Sequence, residues 1–348
     1  MQAIQWLGPR DIRVNDLSLP RMQMARDAIV RVTRSAICGT DLHPYRGEIA
    51  DFLTGAVMGH EFTGIIEDID PHFPHLHPGD RVIASDVIAC GECRSCLHGW
   101  HYQCMNVSLF GYGTVVGPYV PGGQAEYVRV PFADVVLSKI PDTLSEEQVL
   151  FVGDILSTGF LCAEAANIEA GDRVVVVGCG PVGLFSIQCA YILGAGLVLA
   201  IDPEPLRQAA AQQMGAQVLN YKSDLVEQVH AFTSGRGADA VLEAVGSETS
   251  LQTAIAVARA RSTVSVAGVP QIATQSFPAQ VAFGRELTVR FVVGDPISAR
   301  DRIIPLIEAG RLDPTQIISH RLPLQEAAHA YDLFDRRIAT KVVLLPDV

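Results

Sequence analysis

The sequence is poor in charged residues and lacks any apolar run long enough to cross a membrane. Charged residues make up 18% of its 348 residues against 49% apolar ones, a balance that excludes a disordered chain. No apolar stretch reaches the ~18 residues that a membrane-spanning helix needs. Positive charge is scarcer than negative, since 26 Lys and Arg face 38 Asp and Glu. Nucleic acids and anionic membranes are bound by clusters of Lys and Arg, so we expect neither as a partner.

A targeting segment is also missing from the start of the sequence. The first residues, MQAIQW, show no basic segment followed by an apolar stretch, so we find no signal peptide and expect a cytoplasmic protein. Thiols stay reduced in that compartment. The eight cysteines are therefore better explained as metal ligands or small buried residues than as disulfides.

The texture of the sequence changes near residue 150, and its length favours two domains. The first part has short strand-like runs cut by Gly and Pro, at 28–33, 62–67 and 79–84, which predict a mainly β domain. From Gly171 strands alternate with helices, and this alternation fades after Asp295. Such alternation predicts a parallel, doubly wound α/β sheet. The last ~50 residues are too few to fold alone, and we expect them to pack back onto the first domain.

A glycine-rich loop follows four consecutive valines and opens a predicted helix. Its residues match GxGxxG and are Gly178, Cys179, Gly180, Pro181, Val182 and Gly183. Glycines let the backbone approach a pyrophosphate, which binds the free N–H groups at the helix start. The alternative is a glycine turn in a domain that binds no nucleotide. The strand and helix around this motif favour a dinucleotide.

An acidic residue after the next predicted strand indicates which dinucleotide binds. Asp202 lies 19 residues after Gly183, where a carboxylate accepts hydrogen bonds from the adenosine ribose hydroxyls and repels a 2′-phosphate. We therefore expect NAD rather than NADP. Arg207 keeps NADP open as an alternative, because a guanidinium nearby could bind that phosphate.

Four cysteines form the most specific local pattern in the sequence: Cys90, Cys93, Cys96 and Cys104. Four thiolates at this spacing can close a tetrahedron around zinc, leaving no position for a substrate, so the predicted site is structural. An iron–sulfur cluster is the competing interpretation. In the bacterial ferredoxin pattern, however, three residues separate the last two cysteines and Pro follows the last one. Here seven residues separate Cys96 from Cys104, and Met105 follows.

Three further segments each carry one possible metal ligand: Cys38 in CGTDLH, His60 in GHE and Asp154 in DILSTG. A catalytic zinc uses three protein ligands and keeps a fourth position open, and thiolate, imidazole and carboxylate are all suitable donors. Spacing alone does not join these segments. Each residue also has an ordinary alternative, as a buried thiol, a core histidine or a helix N-cap.

The motifs CGTDxH, GHE, CxxCxxCx7C, DxxxTG and GxGPVG, followed by Asp202, occur in an order that resembles the zinc-containing medium-chain alcohol dehydrogenases. This resemblance covers essentially the whole chain. It implies a GroES-like β-rich catalytic domain at 1–153 and 296–348, interrupted by a Rossmann domain at 154–295. It also implies that Cys38, His60 and Asp154 bind a catalytic zinc, so that each chain carries two zinc ions. Many members of the family have cysteine as the third zinc ligand. The aspartate at this position resembles the bacterial secondary-alcohol dehydrogenases, in which the third ligand is also aspartate.

The resemblance also assigns roles around the two bound groups. Thr40 and His43 would relay the alcohol proton through the nicotinamide ribose to solvent, and Glu61 would be an acid close to the metal. Thr158, in the DxxxTG motif, would contact the cofactor, and Phe110 would line the substrate pocket. The family implies assembly as a homodimer or homotetramer.

The expected activity is reversible hydride transfer between NAD and a zinc-bound alcohol, with secondary alcohols among the candidates, or its aldehyde or ketone. A polyol, sugar or amino-alcohol dehydrogenase with the same metal site is an alternative, because sequence does not locate the substrate loops. A zinc- and NAD-binding redox sensor without turnover is a second alternative. The complete set of ligands and relay residues argues against it.

Overall fold

The computed structural model describes residues 1–71, 73–270 and 272–346. The chain divides into two compact units, Met1–Asp154 with Asp295–Val348, and Ile155–Gly294. These limits differ from the predicted domains by one residue at each junction, because Asp154 and Asp295 both belong to the first unit. Asp295 is held there by His101, whose backbone N–H donates to its carboxylate at 3.0 Å.

The amino-terminal part of the first unit consists of short strands and short helices. Its strands are β1 (Gln2–Gly8), β2 (Asp11–Asp16), β3 (Ala28–Ala36), β4 (Ala56–Val57), β5 (Glu61–Ile69), β6 (Arg81–Ala84), β7 (Val87–Ile88), β8 (Ser108–Leu109), β9 (Tyr127–Val130) and β10 (Leu137–Lys139). Its helices are α1 (Leu42–Arg46), α2 (Arg94–Leu97), α3 (Ala133–Val136) and α4 (Glu146–Val149), with 3₁₀ turns at His101–Gln103 and Leu150–Gly153.

The second unit alternates helices and strands along the chain. Its helices are α5 (Ile155–Ala165), α6 (Pro181–Ile192), α7 (Pro205–Gln213), α8 (Leu225–Phe232), α9 (Glu248–Val257) and α10 (Ala279–Gly284). Its strands are β11 (Arg173–Val177), β12 (Leu197–Ile201), β13 (Gln217–Val218), β14 (Ala238–Glu243), β15 (Ala258–Val266) and β16 (Thr288–Phe291).

The chain then returns to the first unit. This segment contains α11 (Pro296–Glu308), β17 (His320–Pro323), α12 (Ala327–Asp335) and β18 (Val342–Leu345), with 3₁₀ turns at Pro314–Ile317 and Leu324–Glu326. Strand β18 pairs antiparallel with β3, so the carboxy-terminal segment lies on the same sheet as the amino-terminal strands.

The first unit is built on a seven-stranded sheet in the order β10-β6-β5-β3-β18-β17, with β9 also paired to β3. A smaller sheet has the order β2-β1-β4. Strand β3 shows why these segments form strands, since Val30 and Val32 are fully buried while Arg31 between them is not. This period of two is that of a sheet with one face on a core.

The second unit contains a six-stranded sheet in the order β13-β12-β11-β14-β15-β16, and all of its strand pairs are parallel. This order is that of a dinucleotide-binding fold. Both faces of a parallel sheet are covered by helices, so its strands are apolar throughout, which explains the unbroken valines of β11. The predicted combination of a β-rich unit with a doubly wound parallel sheet is confirmed.

Among the described residues, no single helix has the length and apolar character needed to cross a membrane. The helices on either side of Asp154 reach that length and composition only when they are taken together.

Candidate functional site

The four predicted zinc cysteines converge in the loop between β7 and β8. Cys90, Cys93, Cys96 and Cys104 place their sulfurs within 4.8 Å of one another, and four of the sulfur pairs are 3.5 to 4.0 Å apart. Tetrahedral zinc with bonds of about 2.3 Å requires sulfurs ~3.8 Å apart. A disulfide would need ~2.0 Å, and all four thiols are free. The donor set and its spacing fit a structural zinc.

Backbone N–H groups favour the thiolate of Cys93, whereas burial raises the pKa values of Cys96 and Cys104. The N–H groups of Cys96 and Met105 lower the pKa of Cys93 to about 6, and the N–H of Asn106 donates to the sulfur of Cys104 at 3.3 Å. Because the thiolate is the form that binds metal, Cys93 is ready to bind a cation, and the charge of a bound cation would favour the thiolate forms of Cys96 and Cys104 as well.

A second cluster joins Cys38, His60 and Asp154, three residues that lie far apart in sequence. Cys38 follows β3, His60 directly precedes β5, and Asp154 follows the 3₁₀ turn Leu150–Gly153. The sulfur of Cys38 lies 3.2 Å from Asp154 Oδ2, and His60 Nε2 lies 3.3 Å from the same oxygen. All three residues are buried. One sulfur, one nitrogen and one oxygen donor are the set that an open zinc site uses.

The electrostatics of this cluster call for a cation. Burial raises the pKa of Cys38 to about 12, and the carboxylates of Asp154 and Glu61 act in the same direction. Burial also acts to raise the pKa of Asp154, but the hydrogen bonds from His60 and Cys38 and the charges of His60 and Lys341 together outweigh it, and the pKa is lowered. The thiol therefore stays protonated unless positive charge is added, which a divalent metal would supply. The residues present fit zinc.

A buried carboxylate, itself held by hydrogen bonds through its other oxygen, faces His60 on the side away from the cluster. His60 Nδ1 lies 3.4 Å from Asp41 Oδ1, and the other Asp41 oxygen accepts from the backbone N–H of Cys38 at 3.0 Å and from Gln124 at 3.2 Å. The hydroxyl of Tyr331 donates to Gln124 at 2.8 Å. A carboxylate behind a metal-binding histidine fixes its orientation and tautomer. Gln124 and Tyr331 were not predicted, and no local motif marks them.

Glu61 is fully buried beside this cluster and forms an ion pair with Lys341. Lys341 is also fully buried, donates to the carbonyl of Ile37 at 2.8 Å and lies 5.3 Å from the ring centre of Phe151. Burial raises the pKa of Glu61 to about 7, against the lowering effect of Lys341. Sequence analysis predicted Glu61 but missed Lys341. The available signal was a lone charge directly before the apolar strand β18.

The two predicted relay residues lie next to the cluster in sequence. Thr40 is half-buried in the turn after Cys38, and His43 belongs to α1. The His43 backbone N–H donates to the Thr40 carbonyl at 3.3 Å. His43 Nδ1 lies 2.6 Å from Glu48 Oε2, a partner that sequence analysis did not predict.

In the second unit, the glycine-rich loop has the backbone geometry that a pyrophosphate site needs. Gly178 is left-handed with φ +91°, and Gly180 is the N-cap of α6, with Pro181 in its first turn. A Cβ atom on Gly183 would lie 1.8 Å from the carbonyl oxygen of Gly178. The loop therefore packs tightly on the helix start, whose free N–H groups attract anions.

Asp202 directly follows β12 and lies beside this loop. Its Oδ2 accepts from the backbone N–H of Cys179 at 2.8 Å, and its Oδ1 accepts from that of Glu204 at 2.8 Å. Arg207 Nη1 lies 3.8 Å from Asp202 Oδ2. The same nitrogen would lie 3.9 Å from a Cβ atom added to Gly180. Carboxylate and guanidinium therefore sit together at the loop.

The remaining predicted site residues have less informative surroundings. Val182 lies in α6, and Thr158 lies in α5, where its hydroxyl packs over Gly294. Phe110 is fully buried with its ring edge-to-face against Phe62, the ring centres 5.2 Å apart. The described contacts of Phe110 are those of a core residue, and its contact with substrate stays a prediction.

Comparison with known proteins gives consistent matches over both units. Residues 24–142 match a family model described as the alcohol dehydrogenase GroES-like domain, and residues 181–309 match one described as zinc-binding dehydrogenase. The zinc-type alcohol dehydrogenase-like protein AdhB of Bacillus subtilis, itself uncharacterized, is 34% identical, covering 99% of this chain and 100% of that protein.

Two solved structures extend the comparison. Alcohol dehydrogenase TADH from Thermus sp. ATN1 superposes with a TM-score of 0.95 at 40% identity, covering 99% of this chain and 100% of its own. A putative zinc-binding dehydrogenase from Sinorhizobium meliloti 1021, bound to NADP, has a TM-score of 0.86 at 27% identity and covers 99% of both chains.

Proposed function

Because the chain belongs to the zinc-containing medium-chain alcohol dehydrogenase family, we propose that it catalyses reversible oxidation of an alcohol to an aldehyde or ketone with NAD. The observation that carries this proposal is the convergence of Cys38, His60 and Asp154 into one buried cluster. The predicted family, the enzyme class and the fold are shown by the comparisons. The substrate and the cofactor are our inference.

The chain's own residues would hold a catalytic zinc through Cys38, His60 and Asp154. When bound there, zinc supplies Lewis-acid chemistry that makes an alcohol hydroxyl more acidic. Asp41 keeps His60 Nε2 turned toward the cluster by facing its other nitrogen. Burial of all three ligands excludes bulk water, which strengthens electrostatic interactions in the site.

Thr40 and His43 are suited to carry the alcohol proton to solvent. Thr40 is half-buried and His43 reaches the surface, where its side chain is 23% exposed. A hydroxyl followed by an imidazole forms a path from a dry site to water, since imidazole exchanges protons near neutral pH. Glu61 lies against Lys341 and contributes a carboxylate close to the metal ligands.

The glycine-rich loop and Asp202 support NAD as the cofactor. NAD supplies the carbon that accepts hydride. The left-handed Gly178 and the N-terminus of α6 would receive the pyrophosphate, and the Asp202 carboxylate would accept from the ribose. Arg207 beside Asp202 and the NADP-bound neighbour make NADP the alternative. Fluorescence titration with each cofactor tests the choice, and tighter binding of NADP than of NAD would refute it.

A homodimer through the second unit is the assembly we propose. Strand β16 ends the parallel sheet and pairs only with β15 among the described residues. Near it Phe283, Phe291 and Val293 are 87%, 63% and 60% exposed. An exposed apolar sheet edge is a template for association with another chain. Phe283→Lys should shift the mass measured by light scattering to that of a monomer, whereas Phe232→Lys, on α8, should not. If both variants remained dimers, the assignment of the β16 edge as the dimer interface would be contradicted.

The experiment that tests the function combines metal analysis with turnover. Wild type should contain two zinc ions per chain and form NADH from at least one of a panel of primary, secondary, aromatic and polyol alcohols. Selective turnover of polyols would favour the polyol alternative. Two zinc ions and bound NAD without any turnover would favour the redox sensor.

Asp154→Asn tests the ligand assignment, with Asp27→Asn as its matched control. Asp27 is also a buried aspartate, and it pairs with Arg129 at 3.0 Å, outside the cluster. Asp154→Asn should lose one zinc ion and nearly all activity while staying folded. Asp27→Asn should lose stability but keep both ions. Full activity and two zinc ions in Asp154→Asn would refute the site.

A further inference from the structure

We propose that Glu48 is the positioning carboxylate of the relay histidine, holding His43 so that its Nε2 nitrogen is free to accept the alcohol proton. This inference rests on the proposed function, since it assigns a role within the proton relay of the same site. Its basis is the 2.6 Å contact between His43 Nδ1 and Glu48 Oε2.

The backbone returns Glu48 to the side of His43 at the end of α1. Gly47 is left-handed with φ +77°, and its N–H donates to the carbonyl of Pro44 at 3.0 Å. The N–H of Glu48 donates to the carbonyl of His43 at 2.9 Å. These two bonds form a Schellman closure of the helix. The carboxylate is thus brought to the imidazole by backbone geometry and not by a chance surface encounter.

The chemistry of the contact determines the tautomer of the ring. An ionised carboxylate only accepts hydrogen bonds, so Nδ1 carries the hydrogen that faces Glu48. A neutral imidazole with hydrogen on Nδ1 has its lone pair on Nε2, which is then the proton acceptor. Once protonated, the ring is positive and is stabilised by the adjacent carboxylate. The buried aspartate of serine hydrolases acts on its histidine by the same logic.

Charged neighbours hold the carboxylate in place. Arg46 lies 3.8 Å from the other oxygen of Glu48, and its Nε donates to Asp335 at 2.6 Å. Asp335, whose side chain is only 6% exposed, also pairs with Arg10 at 3.1 Å. These are the charged groups that the structure places around the pair. Arg46 is therefore fixed by an acid on α12 and places a positive charge beside the Glu48 carboxylate.

A purely structural role for Glu48 predicts a different outcome from a relay role. Its side chain is 46% exposed, and exposed ion pairs contribute little to stability. Loss of the carboxylate should then leave stability nearly unchanged under either interpretation. Only the relay role predicts a change in proton transfer and in the protonated nitrogen of His43.

Glu48→Gln is the test, with Glu67→Gln as its matched control. Glu67 is 43% exposed and pairs with Arg31 at 2.6 Å on β5. For Glu48→Gln we expect kcat about fivefold lower with KM for the alcohol unchanged, the magnitude of one partly exposed charged hydrogen bond. Glu67→Gln should behave as wild type.

A double-mutant cycle shows whether Glu48 acts through His43. In a His43→Gln background, the Glu48→Gln change should cost no further activity, because the ring it positions is absent. Additive losses, or equal kinetics of Glu48→Gln and Glu67→Gln, would overturn the proposal.

Nitrogen NMR of labelled histidine separates this inference from the proposed function, since it needs no turnover. The zinc-loaded wild type should show His43 with hydrogen on Nδ1, the signal being identified by its loss in His43→Gln. Glu48→Gln should shift the population toward hydrogen on Nε2. An unchanged tautomer would overturn the inference even in an active enzyme. A wild type without alcohol turnover but with the expected tautomers would instead refute the proposed function.

Discussion

Replacement of Lys341 by methionine should strongly destabilise the first unit. Lys341 and Glu61 are both fully buried, and their ammonium and carboxylate groups are in direct contact. Methionine keeps the length and apolar character of the lysine stem but removes the charge. Glu61 is then left in the interior as an ion without a counter-charge, while one of its oxygens already lacks a hydrogen-bond partner.

Removal of one partner from a buried ion pair costs about 3–5 kcal/mol, because the remaining charge is desolvated without compensation. Full burial of both groups means that no solvent screening reduces this figure. With a urea slope of ~2–3 kcal/mol per molar, the unfolding midpoint should fall by about 1.5 M. Because burial already raises the pKa of Glu61 to about 7, protonation can neutralise it. The penalty should therefore be larger at pH 8 than at pH 6.

The assay is urea unfolding of zinc-loaded protein followed by tryptophan fluorescence. Both tryptophans, Trp6 and Trp100, lie in the first unit, so the signal reports on the unit that contains the pair. Lys139→Met is the matched control. Lys139 pairs with Asp80 at 2.6 Å but is 55% exposed, and a surface pair contributes only about 0.2–1 kcal/mol.

The Glu61→Gln/Lys341→Met double variant completes the test. Replacement of both members of a buried pair by neutral groups of similar size is near neutral, so the double variant should regain most of the stability lost in Lys341→Met. A Lys341→Met variant no less stable than Lys139→Met, or additive losses in the double variant, would refute an ionised buried pair.

Three further predictions concern other parts of the molecule. Gly183→Ala should weaken NAD binding at least tenfold in calorimetric titration while both zinc ions stay bound, since its Cβ would collide with Gly178 O and the loop must shift; wild-type affinity would contradict the loop assignment. Cys93→Ser should lose one zinc ion and lower the thermal midpoint, with activity per folded molecule largely kept, because a structural site contributes to folding; loss of activity at full stability would contradict that role. Glu147→Gln should remove about 1 kcal/mol at pH 7, because the Arg321 hydrogen bond lowers the pKa of Glu147 below its unfolded value. That contribution is present above the unfolded pKa and is lost as the pH falls through the folded pKa, so acid unfolding curves of variant and wild type should converge at low pH.

The features that could be predicted best from the sequence are those set by residues close together along the chain. The four cysteines lie within fifteen residues, so a short loop suffices to bring their sulfurs within 4.8 Å of one another. The glycine-rich loop is likewise set by the strand before it and the helix after it. In both cases the chemistry requires residues that are neighbours along the chain, and the pattern is visible without the fold.

The open metal cluster depends on distant residues and was therefore not derivable from spacing. Cys38 and Asp154 are 116 positions apart in sequence, and only family resemblance joined them with His60. The residues that surround the metal ligands and the relay were still harder to predict from the sequence. Lys341 meets Glu61 only because β18 pairs with β3, and a sheet pairing of that separation leaves no trace in composition or period. Glu48 was missed for a different reason, since a surface glutamate after a short helix is ordinary until the turn returns it to His43.

The buried charges around the cluster explain why a carboxylate can serve as the third ligand. Cys38 as thiolate and Asp154 as carboxylate contribute two negative charges that a divalent cation balances, and Lys341 compensates Glu61. Asp41 remains as one further negative charge, fully buried, and it is met by the N–H of Cys38 and the amide of Gln124. A buried charge of this kind is tolerated only where hydrogen-bond donors or counter-ions compensate it. Asparagine at position 154 would keep an oxygen donor but remove one of the charges that balance the cation, so zinc affinity should fall more than the loss of one coordination bond implies.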